Sequence, residues 1–335
     1  MPAPLASRLT AFFMSATLVC IGCSNAPPST SGNTGGDGGG GAGGGPAVVV
    51  DPGLFDCSAK TSPTRVSTVP SACIADPACK TPMVSGHRGA GGQIGVIAPE
   101  NTLSSVRAAI AVGIEFIETD PRATSDGVLV NMHDTSVDRT TDGTGEVANM
   151  TLAEVQALKI DQGKFVGDYS CDRVPTIEEV LLESRGKIHV LLDANKTDRI
   201  DLLVDAVHKT DTLDWAILDT DSVEKIDAAL ALEPKLLTMI RVASLDEFNI
   251  EWTHFAAHPP IIVEIHDTAQ VADIAAVVHA KPAHTLTDMF GTDVGAGLAN
   301  DPSFYGTIYD SGIDIGQTDR PDLVLRYLGR FFGKP

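Results

Sequence analysis

The sequence predicts an α/β protein, one (β/α)8 barrel of the TIM type, preceded by a disordered N-terminal tether. Two observations carry this reading. From residue 81 onward, apolar runs of strand length alternate with amphipathic runs of helical spacing, about eight times over. Such alternation implies parallel strands paired inside a shell of helices. The residues able to do chemistry fall at the ends of those apolar runs, the mouth at which barrels build active sites. A chain of 335 residues that is 43% hydrophobic has ample apolar surface for one such core.

In chain order, residues 1–22 read as a lipoprotein signal peptide, with plain secretion or an uncleaved apolar start as the alternatives. Arg8 precedes the mostly apolar stretch Leu9 to Ile21, which is too short to span a bilayer in a mature protein. Gly22 stands before Cys23, the expected lipidation site, although Cys20 is atypical three residues before it. Residues 23–46 are dominated by Gly, Ser and Pro and have almost nothing to bury, so they form the tether. About 20 such residues reach roughly 25 Å. Residues 47–80 form a Cys-containing extension, and 81–335 the barrel. This organisation predicts an exported, membrane-anchored bacterial lipoprotein, periplasmic or on the cell surface, touching membrane through its lipid alone.

An export signal makes disulfides permissible. Cys57, Cys73, Cys79 and Cys171 are the candidates, with three possible connectivities; at least one bridge is expected to pin the extension onto the barrel. Zinc is the rival reading, but no C-x-x-C pair exists among these four, and free buried thiols are the third possibility.

Strands are expected at Pro82 to Gly86, Ile114 to Asp120, Ile188 to Asp193, Trp215 to Leu218, Lys235 to Arg241, Ile261 to Glu264, Thr285 to Thr287 and Ile313 to Gln317, with a further extended piece at Val128 to His133. Leu103, Val106 and Ile110 recur at helical spacing, with Asn101 or Thr102 as N-cap. Further helices are expected at Thr176 to Ser184, Asp201 to His208, Ser222 to Leu232, Ala269 to His279 and Asp322 to Phe331. The Gly- and Asp-rich stretch Thr287 to Pro302 reads as a loop.

Charge narrows the function. Lys and Arg number 24 against 44 Asp and Glu, a net charge of −20, and no basic cluster stands out. That argues against nucleic-acid binding, which needs a basic face. An anionic substrate must therefore meet local positive charge. Strand side chains alternate faces, so Ile114, Phe116, Glu118 and Asp120 share one face, apolar first and acidic last. Two such acids facing inward repel unless one is protonated or a cation lies between them, and hard oxygen donors select Mg2+ or Ca2+; a solvated strand end is the alternative. Asp193 ends the next apolar strand and is a third donor or, alternatively, a helix N-cap; by parity Asn195 shares its face and Lys196 does not. His87 follows the first strand, and Arg88 beside it offers a planar fork suited to phosphate oxygens, although a simple turn also explains the triplet with Gly89. Glu100 is expected to support the site. His133 ends an extended piece and can deliver a proton near neutrality, unless it is a plain loop residue. Asp138, Arg139 and Asp142 read as a turn network holding His133.

Together these residues resemble the glycerophosphodiester phosphodiesterase family, a PI-PLC-like phosphodiesterase TIM barrel. The resemblance runs through His87-Arg88-Gly89-Ala90-Gly91-Gly92, Ala98-Pro99-Glu100-Asn101-Thr102, Glu118-Thr119-Asp120, Ser125-Asp126-Gly127, His133-Asp134, Asp138-Arg139-Thr140-Thr141, Val174-Pro175-Thr176 and Thr318-Asp319-Arg320-Pro321. It implies divalent-metal-dependent cleavage of glycerophosphodiesters, with His87 and His133 as the catalytic pair, Glu118 and Asp120 as metal ligands and Arg88 as phosphate binder. The chain departs from the family pattern where Asp193-Ala194-Asn195 stands in place of Glu-x-Lys; Asn195 takes the lysine's position, and Lys196 lies one residue out of phase unless a bulge restores it. His133 is expected as acid and His87 as base. The expected partner is a small phosphodiester, with no protein partner evident. Phospholipase D-like cleavage of lysophospholipid or sphingolipid head groups is the second reading, and a catalytically decayed surface binding protein the third.

Overall fold

The computed structural model describes residues 50–266 and 269–330. The signal segment, Cys23 and the tether lie outside them. Among the described residues there are ten strands: β1 (Met83–Gly86), β2 (Phe116–Thr119), β3 (Pro121–Ala123), β4 (Leu129–Asn131), β5 (His189–Asp193), β6 (Ala216–Thr220), β7 (Leu237–Val242), β8 (Ile262–Ile265), β9 (His284–Asp288) and β10 (Ile315–Thr318). Eight close into a parallel barrel in the order β1-β2-β5-β6-β7-β8-β9-β10, with β10 pairing back onto β1.

The strand period of two sorts the residues. Each barrel strand gives one apolar side chain to the lower interior: Met83, Phe116, Leu191, Ile217, Met239, Ile262, Leu286 and Ile315. Two residues further along each strand the same face turns polar, with Ser85, Glu118, Asp193, Asp219, Arg241, Glu264, Asp288 and Gln317. A dry floor thus supports a charged mouth. The alternate residues, such as Val84, Ile117, Val190 and Leu218, face outward into the larger core shared with the helices.

The extension seals the floor from below. Val69, Cys73 and Ile74 join the lower interior cluster, and a disulfide closes Cys73–Cys79. A second disulfide, Cys57–Cys171, ties the extension to the loop that precedes the helix Ile177–Ser184.

Thr102 caps the helix Leu103–Val112 by accepting from the Ser105 N–H, and Gly113, with φ +86°, ends it. Thr176 and Glu179 form a capping box at the start of Ile177–Ser184. The expected loop from Thr287 to Pro302 is corrected here: Phe290–Ala299 is a helix. Its glycines hide the helical pattern but serve packing. A Cβ on Gly297 would lie 2.9 Å from the Arg320 guanidinium, and one on Gly295 would lie 3.1 Å from the Phe304 ring. The extended piece at Val128 to His133 is not a barrel strand; β4 forms a hairpin with β3 off the end of β2. Among the described residues, no helix is long and apolar enough to cross a membrane.

Candidate active site

The mouth is assembled from strand ends that are far apart in sequence. Glu118 and Asp120 come from the end of β2, and Asp193 from the end of β5, which pairs with β2. One carboxylate oxygen from each lies within 4.8 Å of the others, and all three residues are buried. Burial, and then the neighbouring Asp120 and Asp193, push the Glu118 carboxyl well above the usual carboxylate range. Burial likewise raises Asp193, against the pull of Arg241 and Lys196. Three crowded, desolvated hard-oxygen donors fit a divalent cation, which would remove the repulsion.

The hairpin carries His133 to the cluster. β3 follows Asp120 directly, and β4 returns alongside it. Asp120 N–H donates to Asn131 Oδ1 at 2.8 Å, and Met132 N–H to the Asp120 carbonyl at 2.9 Å. His133 lies one residue beyond. Asn101 completes the hold, its Nδ2 donating to Asp120 Oδ2 at 2.8 Å. Asn101 and Arg88 both adopt the left-handed conformation, φ +57° and +54°, which asparagine tolerates and which is strained for arginine. In that conformation the Arg88 N–H donates to Glu118 Oε2 at 3.0 Å.

The two imidazoles are held alike. His87 Nδ1 donates to Asp319 Oδ1 at 2.6 Å, and its Nε2 accepts from Arg88 Nε at 3.2 Å. His133 Nδ1 donates to Asp134 Oδ1 at 2.8 Å, and its Nε2 meets Lys196 Nζ at 3.4 Å. Each Nε2 thus keeps its lone pair turned toward a cation. His87 Nε2 also lies 3.9 Å from Glu118 Oε2. Burial lowers the His133 pKa, outweighing its bond to Asp134.

Behind these groups Arg139 donates to both Asp134 and Glu100, and Glu100 accepts from Arg88 Nη1 at 2.8 Å. Burial opposes ionisation of Glu100, but the Arg139 and Arg88 bonds prevail and its pKa falls. Of the expected turn network, Arg139 alone joins this frame, which His133 and Arg88 share; Asp138 and Asp142 instead accept from the Gly145 and Lys159 N–H groups. A cavity of about 330 Å3 borders that frame; Glu100, Arg139, Lys164 and Phe165 help to line it, and none of the three acids does.

Asn195 and Lys196 exchange their expected places. A 3-10 turn, Ala194–Lys196, follows β5 and breaks the strand alternation. Asn195 Oδ1 accepts from Thr220 Oγ1 at 2.6 Å, away from the acids. Lys196 Nζ swings in, 3.7 Å from Asp193 and 4.0 Å from Asp120. The out-of-phase lysine thus reaches the site through the turn.

Sequence reasoning quoted Asp319 within the motif Thr318-Asp319-Arg320-Pro321 but gave it no role, and it did not single out the far wall. Asp319 belongs to β10's end and meets His87 because β10 closes onto β1; it also accepts from the Gly92 and Ile94 N–H groups. Arg241 grips Asp219 with two 2.7 Å bonds and stands 3.5 Å from Asp193 and 3.1 Å from Glu264. For the far wall the visible signal was the polar residue two places beyond the apolar floor residue in every barrel strand, and for Asp319 it was the closing motif.

The sequence profile of the glycerophosphoryl diester phosphodiesterase family matches residues 87–252, a stretch that holds both histidines and all three acids. The glycerophosphodiester phosphodiesterase of Caldanaerobacter subterraneus is 41% identical over 99 residues, 29% of this chain and 38% of that protein. Glycerophosphodiester phosphodiesterase 1 of Homo sapiens is 40% identical over 87 residues, 26% of each chain. The chain thus spans well under half the length of the curated relatives it matches. The crystal structure of a glycerophosphoryl diester phosphodiesterase from Parabacteroides distasonis superposes with a TM-score of 0.67 at 22% identity, covering 77% of this chain and 90% of that one. An Oleispira antarctica phosphodiesterase, solved with the product sn-glycerol-3-phosphate, gives 0.58 at 25% identity, covering 74% and 96%. With this fold, these motifs and this mouth, the chain belongs to the glycerophosphoryl diester phosphodiesterase family.

Proposed function

We propose that this protein hydrolyses glycerophosphodiesters to glycerol phosphate and an alcohol, with one divalent cation, Mg2+ or Ca2+, held by Glu118, Asp120 and Asp193. The observation that carries the proposal is the meeting of those three buried carboxylates with two imidazoles held in one tautomer. A bound cation neutralises charge on the phosphoryl oxygens as the leaving oxygen departs. Arg88 and Lys196 supply further positive charge beside the acids, and a phosphate there draws Arg88 from His87 and Lys196 from His133. The freed rings then work as a pair, one taking a proton from the nucleophile and one delivering a proton to the leaving oxygen. His133 shares Asp134 with Arg139 and faces Lys196, surroundings that suit the ring that takes a proton. His87, with its Nδ1 held by Asp319 and its Nε2 3.9 Å from Glu118, is the other ring of the pair. We therefore assign delivery to His87 and acceptance to His133, the reverse of the expectation from sequence.

The test is a panel of diesters, including glycerophosphocholine and a lysophospholipid, with and without a chelator, scored by product identity. The proposal expects glycerol phosphate released only with metal. Turnover of lysolipid alone, or activity that survives chelation and His133→Ala together, would overturn it. On sequence grounds we also propose export and lipid attachment at Cys23; fatty-acid labelling that persists in Cys23→Ser contradicts this.

A further inference from the structure

The far wall of the mouth holds two groups that the proposed chemistry does not use, His266 and Asp288. His266 follows β8, and its backbone N–H donates to the Val242 carbonyl at 3.0 Å. Its side chain is 43% exposed, and its Nε2 lies 3.0 Å from Glu264 Oε1. Glu264 is buried, its Oε2 3.1 Å from Arg241 Nε, whose N–H donates to Asp219. The ring therefore stands on a buried support and opens to solvent at the mouth. Asp288 ends the neighbouring strand β9 and is also solvent-accessible. Its Oδ1 accepts from Gln317 Nε2 at 2.8 Å. Asp288 lies two residues before Phe290, whose ring packs on His87 with centroids 4.4 Å apart. The charges of His87 and Arg241 both act on Asp288, and that of Asp288 acts on His266.

We propose that His266 and Asp288 form a subsite for the vicinal diol of the substrate's glyceryl group. The inference rests on the diesterase reading above. A diol hydroxyl both donates and accepts, so an adjacent donor and acceptor match two neighbouring hydroxyls in a way that an acid alone does not. The His266 ring, held by Glu264 at 3.0 Å in a contact that raises its pKa, offers a nitrogen donor to a hydroxyl oxygen. The supports come from neighbouring strands: Glu264 on β8 beside Arg241 on β7 beneath His266, and Gln317 on β10 beneath Asp288. That is the preorganisation a specificity contact needs.

The test uses the whole metal-loaded protein and two substrates, glycerophosphocholine and bis(4-nitrophenyl) phosphate, which carries no diol. His266→Ala and Asp288→Asn are each expected to raise KM for glycerophosphocholine about tenfold or more, the loss of a hydrogen bond to a charged group. The rate on bis(4-nitrophenyl) phosphate is expected to stay within about twofold. Glu264→Gln, which keeps the volume, is expected to give an intermediate KM. An equal loss on both substrates overturns the subsite, as does an unchanged KM for glycerophosphocholine in both variants. If the unsubstituted protein cleaves neither diester, the diesterase reading itself fails, and that outcome is distinct from either of these.

Discussion

Asp319→Asn isolates the role of the carboxylate behind His87. Asp319 takes three bonds: His87 Nδ1 at 2.6 Å and the Gly92 N–H at 2.9 Å on one oxygen, and the Ile94 N–H at 3.1 Å on the other. Burial opposes its ionisation, yet His87 and these backbone donors hold its pKa below the usual value, so it is a carboxylate near neutrality. An asparagine keeps the shape but has one acceptor oxygen. If the amide nitrogen faces Ile94, two N–H groups oppose each other. If it faces His87, the ring must give up its Nδ1 proton, and the protonated Nε2 then confronts Arg88 Nε. Either way one charge-assisted bond is lost, about 1.5–3 kcal/mol. At 1.4 kcal/mol per decade this predicts a fall in kcat of between about tenfold and two hundredfold. KM should change little, because Asp319 sits behind the ring. Initial rates on glycerophosphocholine at saturating metal provide the assay, with a thermal melt to confirm folding. A folded variant with kcat within about twofold of the original would refute the reasoning.

Other expectations follow from the same geometry. Gly92→Ala places a Cβ 2.6 Å from both His87 Nδ1 and Asp319 Oδ1, so it should separate the pair and lower kcat at least as far as Asp319→Asn, in the same rate assay. Joint replacement of Cys57 and Cys171 by Ser opens a bridge between residues 114 apart in sequence and should cost about 2–5 kcal/mol in denaturant unfolding; a loss under about 0.5 kcal/mol contradicts a staple role. Burial pushes Asp293 up to about 6, against bonds from Thr318, Tyr305 and the Asp319 N–H. A raised carboxyl stabilises the fold fully below its unfolded pKa, and that contribution is lost as pH rises through the folded value. Asp293 should therefore lower stability by roughly 3 kcal/mol between about pH 4 and pH 6, and Asp293→Asn should flatten that slope in urea titrations.

The parts of the fold that were legible in the sequence are those governed by local period. Phe116 followed by Glu118 in β2, and Leu191 followed by Asp193 in β5, announce inward faces by simple alternation, and each apolar-to-acidic switch marks the rim. Motif order placed His87, Arg88, Glu100, Glu118, Asp120 and His133 in one neighbourhood, and the structure brings them together. Three kinds of feature escaped. The 3-10 turn after β5 ends the alternation on which the reading of Asn195 and Lys196 depended. The helix Phe290–Ala299 is glycine-rich because Phe304 and Arg320 pack against its backbone, and its composition mimics a loop. Asp319, Arg241 and Glu264 matter through barrel closure: their partners sit on neighbouring strands tens or hundreds of residues away, and no local pattern records that.

Glu118, Asp120 and Asp193 are proposed to hold one cation together. Calorimetric titration of the protein with Mg2+ and with Ca2+ tests this most directly. One bound ion per chain is expected for at least one of the two metals, with binding abolished in Glu118→Gln and in Asp193→Asn while both variants remain folded. Undiminished binding in those folded variants, or none by the unsubstituted protein, would contradict the claim.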